Sequence, residues 1–69
     1  MEETLRKLGL NNYEIQAYLA LLRHGPCTGF RLAKVSRVPV GRIYDVLESL
    51  LNKQLVALTS EKPKIWVAR

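Results

Sequence analysis

The feature that most restricts the fold is a run of apolar residues with helical spacing in the middle of the chain. In the stretch SRVPVGRIYDVLESLLNKQLV, apolar side chains recur every three or four positions, at Ile43, Val46, Leu47, Leu50 and Leu51. This spacing predicts a helix over about residues 39–52, with one face packed in a core. Pro39 is expected at the first helical position, where its missing N–H is not needed.

Three shorter helices are predicted before this segment. The first covers residues 2–8. The second begins after Asn11, which forms a capping-box spacing with Glu14. The third covers about residues 28–36, with Thr28 as its N-cap. The second helix is expected to bury a stripe made of Ile15, Tyr18, Leu19 and Leu22.

After the long helix, the apolar pattern changes from helical to alternating. The run LVALTSEKPKIWVAR predicts two strands, at about 55–59 and 64–68, around a Ser-Glu-Lys-Pro turn. Alternation places Ile65 and Val67 on the face opposite Trp66. Because a two-stranded ribbon is marginal in water, the hairpin is expected to pack on the helices.

The order of these elements predicts the fold class. A short helix, a tight turn and a second helix form a helix-turn-helix, and a hairpin after it forms a wing. The chain has 69 residues, with no repeat and no internal linker. We therefore expect one domain, residues 1–69, with a mainly α (α+β) winged helix-turn-helix fold in which helices precede a two-stranded β-wing.

Several classes of protein are disfavoured by composition. No apolar run approaches the ~20 residues that a membrane span requires, and the acidic N-terminus is unlike a secretory signal. The single cysteine, Cys27, excludes an internal disulfide and fits a reducing cytoplasm. One histidine, no Ser-His-Asp set, no glycine-rich phosphate loop and no Cys/His cluster argue against an enzyme, a metal site or a cofactor.

The charge distribution favours a polyanionic partner. Eleven Lys and Arg against six Asp and Glu give a formal charge of +5. The segment from Arg23 to Arg42 contains no acidic residue. A concentrated basic surface attracts nucleic acid, although it also serves as an ordinary solvated face.

If the chain binds DNA, the opening residues of the predicted 39–52 helix face base edges in the major groove. Gly41 permits close approach, and Val40 is suited to a thymine methyl group. Arg42 is suited to guanine O6 and N7 or to a phosphate. Tyr44 is expected either to donate to a phosphate or to act as a half-buried spacer.

Phosphate contacts are expected from three elements around this helix. Thr28 and the amides after it form a helix N-terminus that suits a phosphate. Lys62 and Lys64 stand at the tip of the wing predicted for 55–68. Such contacts position a protein without reading its sequence. The proposed phosphate-binding residues are Thr28, Arg31, Lys34, Arg37, Lys62 and Lys64.

The run from about residue 8 to residue 68 resembles the DNA-binding domain of the TrmB family of archaeal-type transcriptional regulators. The resemblance is carried by LGL-x-x-YE-x-x-x-YLALL, by VP-x-x-x-IY-x-VL-x-SL and by the final K-P-x-x-W. It implies operator binding on double-stranded DNA, usually as a homodimer. Many members carry a C-terminal sugar-sensing domain, and no such effector domain is expected in this chain.

Departures from the family pattern alter these expectations. Arg37 stands where glycine is common in the turn, so it is expected to adopt a turn conformation and to add a phosphate contact. Val40 and Gly41 replace more polar residues, which implies weaker base readout. Apolar Ile65 and Val67 on the wing imply that a partner chain covers its outer face.

Two other functions remain open. A winged helix can bind a protein instead of DNA, and Val40, Ile65 and Val67 favour that alternative. Binding of left-handed DNA is suggested by the Pro-x-x-Trp wing. It is disfavoured because Tyr44 and Glu48 occupy the helix positions where such proteins carry asparagine and tyrosine.

Overall fold

The computed structural model describes the whole chain, residues 1–69, as four helices followed by an antiparallel hairpin. The elements are α1 (Glu2–Lys7), α2 (Asn12–His24), α3 (Gly29–Ser36), α4 (Val40–Asn52), β1 (Val56–Glu61) and β2 (Lys64–Ala68). Helices α3 and α4 and the turn between them form the helix-turn-helix, and the β1–β2 hairpin is the wing. The winged helix-turn-helix predicted from the order of elements is confirmed.

The caps of α2 and α3 are those predicted from local spacing. The Asn11 side chain accepts a hydrogen bond from the Glu14 amide at 2.8 Å, and Glu14 Oε1 accepts one from the Asn11 amide at 2.9 Å. Thr28 Oγ1 accepts from the Arg31 amide at 3.2 Å. Each such cap contributes about 1 kcal/mol of stability. The start of each helix is therefore determined by residues only three positions apart in the sequence.

Helix α4 begins one residue later than predicted. Pro39 has a φ of −55° and a ψ of 139°, so it is the extended residue before the helix and Val40 is the first helical residue. The fixed φ of proline suits both the N-cap and the first helical position, and the extended ψ of Pro39 places it at the N-cap. The prediction that the helix starts at residue 39 is therefore wrong by one position.

Sixteen buried hydrophobic side chains form one core. Helix α4 contributes Ile43, Val46, Leu47 and Leu50 as predicted, whereas Leu51 remains exposed. On α2, Leu21 is buried and Leu22 is 47% exposed, so the prediction of Leu22 in the core is wrong. Helices α3 and α4 both pack against α2. The burial of the two leucines indicates that Leu21 lies on the packed side of α2 and Leu22 does not.

The wing is longer than predicted, and its turn is shorter. β1 continues through Glu61, which pairs with Lys64, so only Lys62 and Pro63 form the turn and their peptide bond is cis. The predicted end of β1 at residue 59 is wrong because pairing resumes after a bulge between Leu58 and Ser60. The predicted four-residue turn is correspondingly reduced to two residues.

The hairpin is anchored to the helices through β2. Trp66 is buried, and its backbone exchanges two hydrogen bonds with Cys27, of 2.8 and 3.2 Å, in the segment between α2 and α3. Tyr18 Oη donates to the carbonyl of Arg69 at 3.1 Å. Ile65 and Val67, which alternate with Trp66 along β2, are half-buried.

A buried carboxylate joins α2 to α4. Glu14 is 2% exposed, and its Oε2 accepts hydrogen bonds from Ser49 Oγ and from Lys53 Nζ, the latter at 2.7 Å. Burial raises the pKa of Glu14, but the hydrogen bonds from Lys53, Ser49 and the Asn11 amide outweigh it and leave the pKa below its ordinary value. Because the charge is paired and hydrogen-bonded, its burial is tolerated, and it links the start of α2 to Ser49 on α4 and to Lys53 just after that helix.

Candidate nucleic-acid interface

The two helices of the helix-turn-helix start without acidic residues, unlike the other two helices. Glu2 and Glu3 lie in the first turn of α1, and Glu14 lies in the first turn of α2. The first turns of α3 and α4 contain no acid. Acidic side chains offset the positive end of a helix dipole. Because α3 and α4 lack them, the positive N-terminal ends of these two helices remain available for an external anion.

The first turn of α4 is open to an approaching ligand. Pro39 provides no side-chain cap, and the Arg42 amide donates to the Pro39 carbonyl at 2.9 Å. The amides of Val40 and Gly41 have no acceptor in the protein. Val40 is 55% exposed, and no atom lies within 4 Å of where a Gly41 Cβ would be. This turn therefore presents free N–H groups on an unobstructed surface.

Arg42 and Tyr44 lie on opposite sides of α4. The Arg42 guanidinium carbon is 5.8 Å from the centre of the Tyr13 ring on α2. The Tyr44 ring lies against Gly29, the first residue of α3. Tyr44 is also 53% exposed, so it is a spacer between the two helices that still presents its ring edge to solvent. Both side chains are accessible beside the open turn.

An apolar cleft joins α3 to the start of α4. It has a volume of about 240 Å³ and is lined by Phe30, Ala33, Lys34, Val38 and Val40. Lys34 Nζ lies 4.7 Å from the centre of the Phe30 ring, within the range of a cation–π contact. The structure thus brings together two predicted site residues, Lys34 and Val40. Phe30 is a site residue that the sequence analysis missed. The sequence signal that could have identified it is its position outside the buried stripe of α3, which leaves its ring exposed.

Arg37 lies away from this cleft. It ends α3 in the left-handed conformation, with a φ of 64°, as expected from its place in the turn. It lines a separate groove of about 440 Å³ along α2 and α3, together with Arg23 and Glu2. A non-glycine residue in this conformation costs roughly 1–2 kcal/mol, so Arg37 lowers the stability of the fold relative to glycine at this position.

Thr28 and Arg31 occupy the start of α3. Since Thr28 satisfies only the Arg31 amide, the amides of Gly29 and Phe30 have no acceptor in the protein. Arg31 is exposed and lies near Cys27. Burial raises the pKa of the Cys27 thiol, with a smaller opposing effect from Arg31. The thiol therefore stays protonated at neutral pH, which favours a packing role over reactivity.

The two lysines of the wing stand at its tip. Lys62 lies in the turn, and Lys64 pairs in register with Glu61 across the hairpin. Both are exposed, and neither lines the apolar cleft or the groove that contains Arg37. Because an acid faces Lys64 on the neighbouring strand, the tip is less basic than its two lysines alone indicate.

Other kinds of site have little support. No three His, Cys, Asp or Glu side chains come together as metal ligands do. None of the four helices has the length and apolar character that a membrane crossing requires.

The chain is similar to several known proteins. A family model described as "Sugar-specific transcriptional regulator TrmB" matches residues 5–69. The "HTH-type sugar sensing transcriptional regulator TrmBL1" of Pyrococcus furiosus is 42% identical over 64 residues, which cover 93% of this chain and 19% of that protein. "Uncharacterized protein YrhO" of Bacillus subtilis is 51% identical over 51 residues, which cover 74% of this chain and 18% of that protein.

A solved structure has the same fold. It is described as "Structure of TrmBL2, an archaeal chromatin protein, shows a novel mode of DNA binding.". It matches with a TM-score of 0.91 and 40% identity, over 100% of this chain and 27% of that chain. The chain spans under a fifth of the length of the curated relatives it matches.

Proposed function

The chain belongs to the TrmB family of sugar-specific transcriptional regulators, and from this premise we propose that residues 1–69 are a DNA-binding domain that regulates transcription. Helix α4 enters the major groove by its N-terminal turn, and the wing follows the adjacent backbone. The names of the relatives, which describe transcriptional regulators, support this proposal, as does the DNA-binding mode in the description of the structural neighbour.

The observation that carries the proposal is the absence of acids from the first turns of α3 and α4. A DNA duplex carries about one negative charge per 1.7 Å of its axis, so any helix end that approaches it must tolerate a strong negative potential. Open amides at Val40 and Gly41 and an exposed Arg42 meet that requirement at one place.

The proposed contacts divide into two kinds. Val40, Gly41 and Arg42 lie nearest to base edges, with Val40 against a thymine methyl group and Arg42 on guanine or a phosphate. The remaining residues hold the backbone and set the register of the protein on DNA. These phosphate contacts are Thr28, Arg31, Lys34, Arg37, Tyr44, Lys62 and Lys64.

A homodimer is part of the proposal, because two copies related by a two-fold axis read two half-sites and so recognise a longer operator. Sedimentation at high protein concentration tests the proposed homodimer, and a chain that stays monomeric there would refute it. A cytoplasmic location accompanies a role on DNA. The proposal gives residues 1–69 no catalytic step, no cofactor and no sugar-binding function.

Salt-dependent binding tests the proposal. Affinity for duplex DNA should fall linearly on a log–log plot against salt, and loss of one phosphate contact should reduce the slope by about one unit. Arg42→Ala should instead cost about 1–3 kcal/mol and relax sequence preference if Arg42 reads a base. Lys7→Ala, on α1, is the control and should leave binding unchanged. Failure to bind any duplex at physiological salt would refute the proposal.

A further inference from the structure

The contacts of α4 define which of its residues face away from the domain. Ile43, Leu47 and Leu50 are fully buried and mark the inner side. Arg42 leans toward α2 and Tyr44 toward α3, so these two residues mark the flanks. At about 100° per residue, the line opposite the core then consists of Gly41, Asp45, Glu48 and Asn52, all of which are exposed.

Asp45 occupies a central place on this outward line. It lies about 6 Å along the helix axis from Gly41, which is one turn beyond the open amides. Its carboxylate forms no salt bridge, since the one ion pair of the chain joins Lys53 to Glu14, and it is not among the side chains that form hydrogen bonds. An unpaired negative charge therefore sits where α4 would face the floor of the groove.

A carboxylate in this place has a limited choice of partners. The surrounding phosphates repel it, and an ionised carboxylate only accepts hydrogen bonds. In the major groove, the donors are the amino groups of cytosine N4 and adenine N6, whereas guanine O6 and thymine O4 are acceptors. Every base pair carries one such donor, so the constraint applies to the strand that the carboxylate faces. Opposite guanine or thymine on that strand, two acceptors would face each other without a shared proton.

We propose that Asp45 determines the DNA sequence preference of this chain by accepting a hydrogen bond from an amino-bearing base, cytosine or adenine. This inference rests on the proposed function, because it requires α4 to enter the major groove. The negative charge of Asp45 lowers affinity for DNA in general. A hydrogen bond to the carboxylate offsets this loss only at sites that place an amino group opposite it. Discrimination thus comes largely from exclusion of guanine and thymine.

The experiment compares sites selected from random duplexes by the wild-type protein and by Asp45→Asn and Asp45→Ala. On one strand of the aligned sites, wild type should prefer cytosine or adenine over guanine and thymine at one position by about tenfold, and the same selection shows which of the two it takes. Asp45→Ala should lose that preference and bind unselected duplex several-fold more tightly, because a repulsive charge is removed. Asp45→Asn should change the preferred base, since an amide also donates.

Glu48→Gln is the matched control, because it removes one negative charge from the same outward line, about one turn farther from the N-terminal end of α4. It should raise general affinity without changing the preferred base. Unaltered preference in both Asp45 variants, or a wild-type protein without any preference, would overturn the inference and leave DNA binding itself intact. A wild-type protein that binds no duplex would instead refute the proposed function.

Discussion

Tyr44 lies so close to Gly29 that a Cβ atom on Gly29 would come within 2.6 Å of Tyr44 Cε1 and 2.9 Å of Cζ. This contact joins the first residue of α3 to the second turn of α4. The space beside Gly29 is therefore filled by an aromatic ring, which a side chain at position 29 would have to displace.

Gly29→Ala should destabilise the domain by about 1 kcal/mol, because the Tyr44 ring must move out of its position. The same substitution in a Tyr44→Ala background should cost nothing, since the obstructing ring is absent. Urea unfolding followed by circular dichroism gives the four free energies of this cycle. An equal loss in both backgrounds would mean that the contact with Tyr44 does not govern position 29.

Gly41→Ala should separate stability from DNA binding. No atom lies within 4 Å of the added Cβ, and alanine is the better helix former, so unfolding should require about 0.5 kcal/mol more. Affinity for duplex DNA should fall, because the methyl group holds the open turn away from the groove. A more stable variant that binds DNA unchanged would exclude close approach at Gly41.

Arg37→Gly should stabilise the fold while weakening DNA binding. Glycine adopts the left-handed conformation without strain, which should yield about 0.5–1 kcal/mol after the entropy of the unfolded chain is counted. Loss of the guanidinium should reduce the log–log salt slope by about one unit.

Gln54→Gly is the matched control for this prediction. Gln54 has a φ of 63° and lies after α4, outside the proposed contacts. The variant should show the same gain in stability, with an unchanged salt slope. If both variants keep the wild-type slope, Arg37 does not contact a phosphate.

Glu14 should make stability depend on acid pH. Because the pKa of Glu14 is lowered in the folded chain, its stabilisation is complete above the unfolded pKa of about 4.3 and disappears as the pH falls through the folded pKa. Glu14→Gln should cost about 2 kcal/mol at neutral pH and flatten the acid limb of a stability profile. Lys53→Met should move that limb to higher pH, and an unmoved limb would contradict the assignment.

Local signals in the sequence predicted much of this fold. The cap of α2 needs only Asn11 and Glu14, three residues apart, and that of α3 needs only Thr28. Tertiary contacts decided the rest. Leu21 and Leu22 are equally apolar, and only the placement of α3 and α4 against α2 determines which of them is buried.

The candidate site was less predictable for the same reason. Tyr13 and Arg42 meet although they are distant in sequence, so no pattern within α4 indicates the direction in which Arg42 leans. The order of the elements supplied the binding mode, and the resemblance to a known family supported it. Which residues of α4 face α2 and α3 follows only from the packing of the three helices. The outward position of Asp45 between Arg42 and Tyr44 could therefore not be predicted from the sequence.

The anchoring of β2 has a practical consequence. Trp66 is the single tryptophan of the chain, and it is buried where the hairpin pairs with Cys27, with its indole N–H unbonded. Its fluorescence emission therefore reports on one junction, between the wing and the helices. A red shift that precedes the loss of helical signal would reveal detachment of the hairpin as a separate step, observable without any added dye.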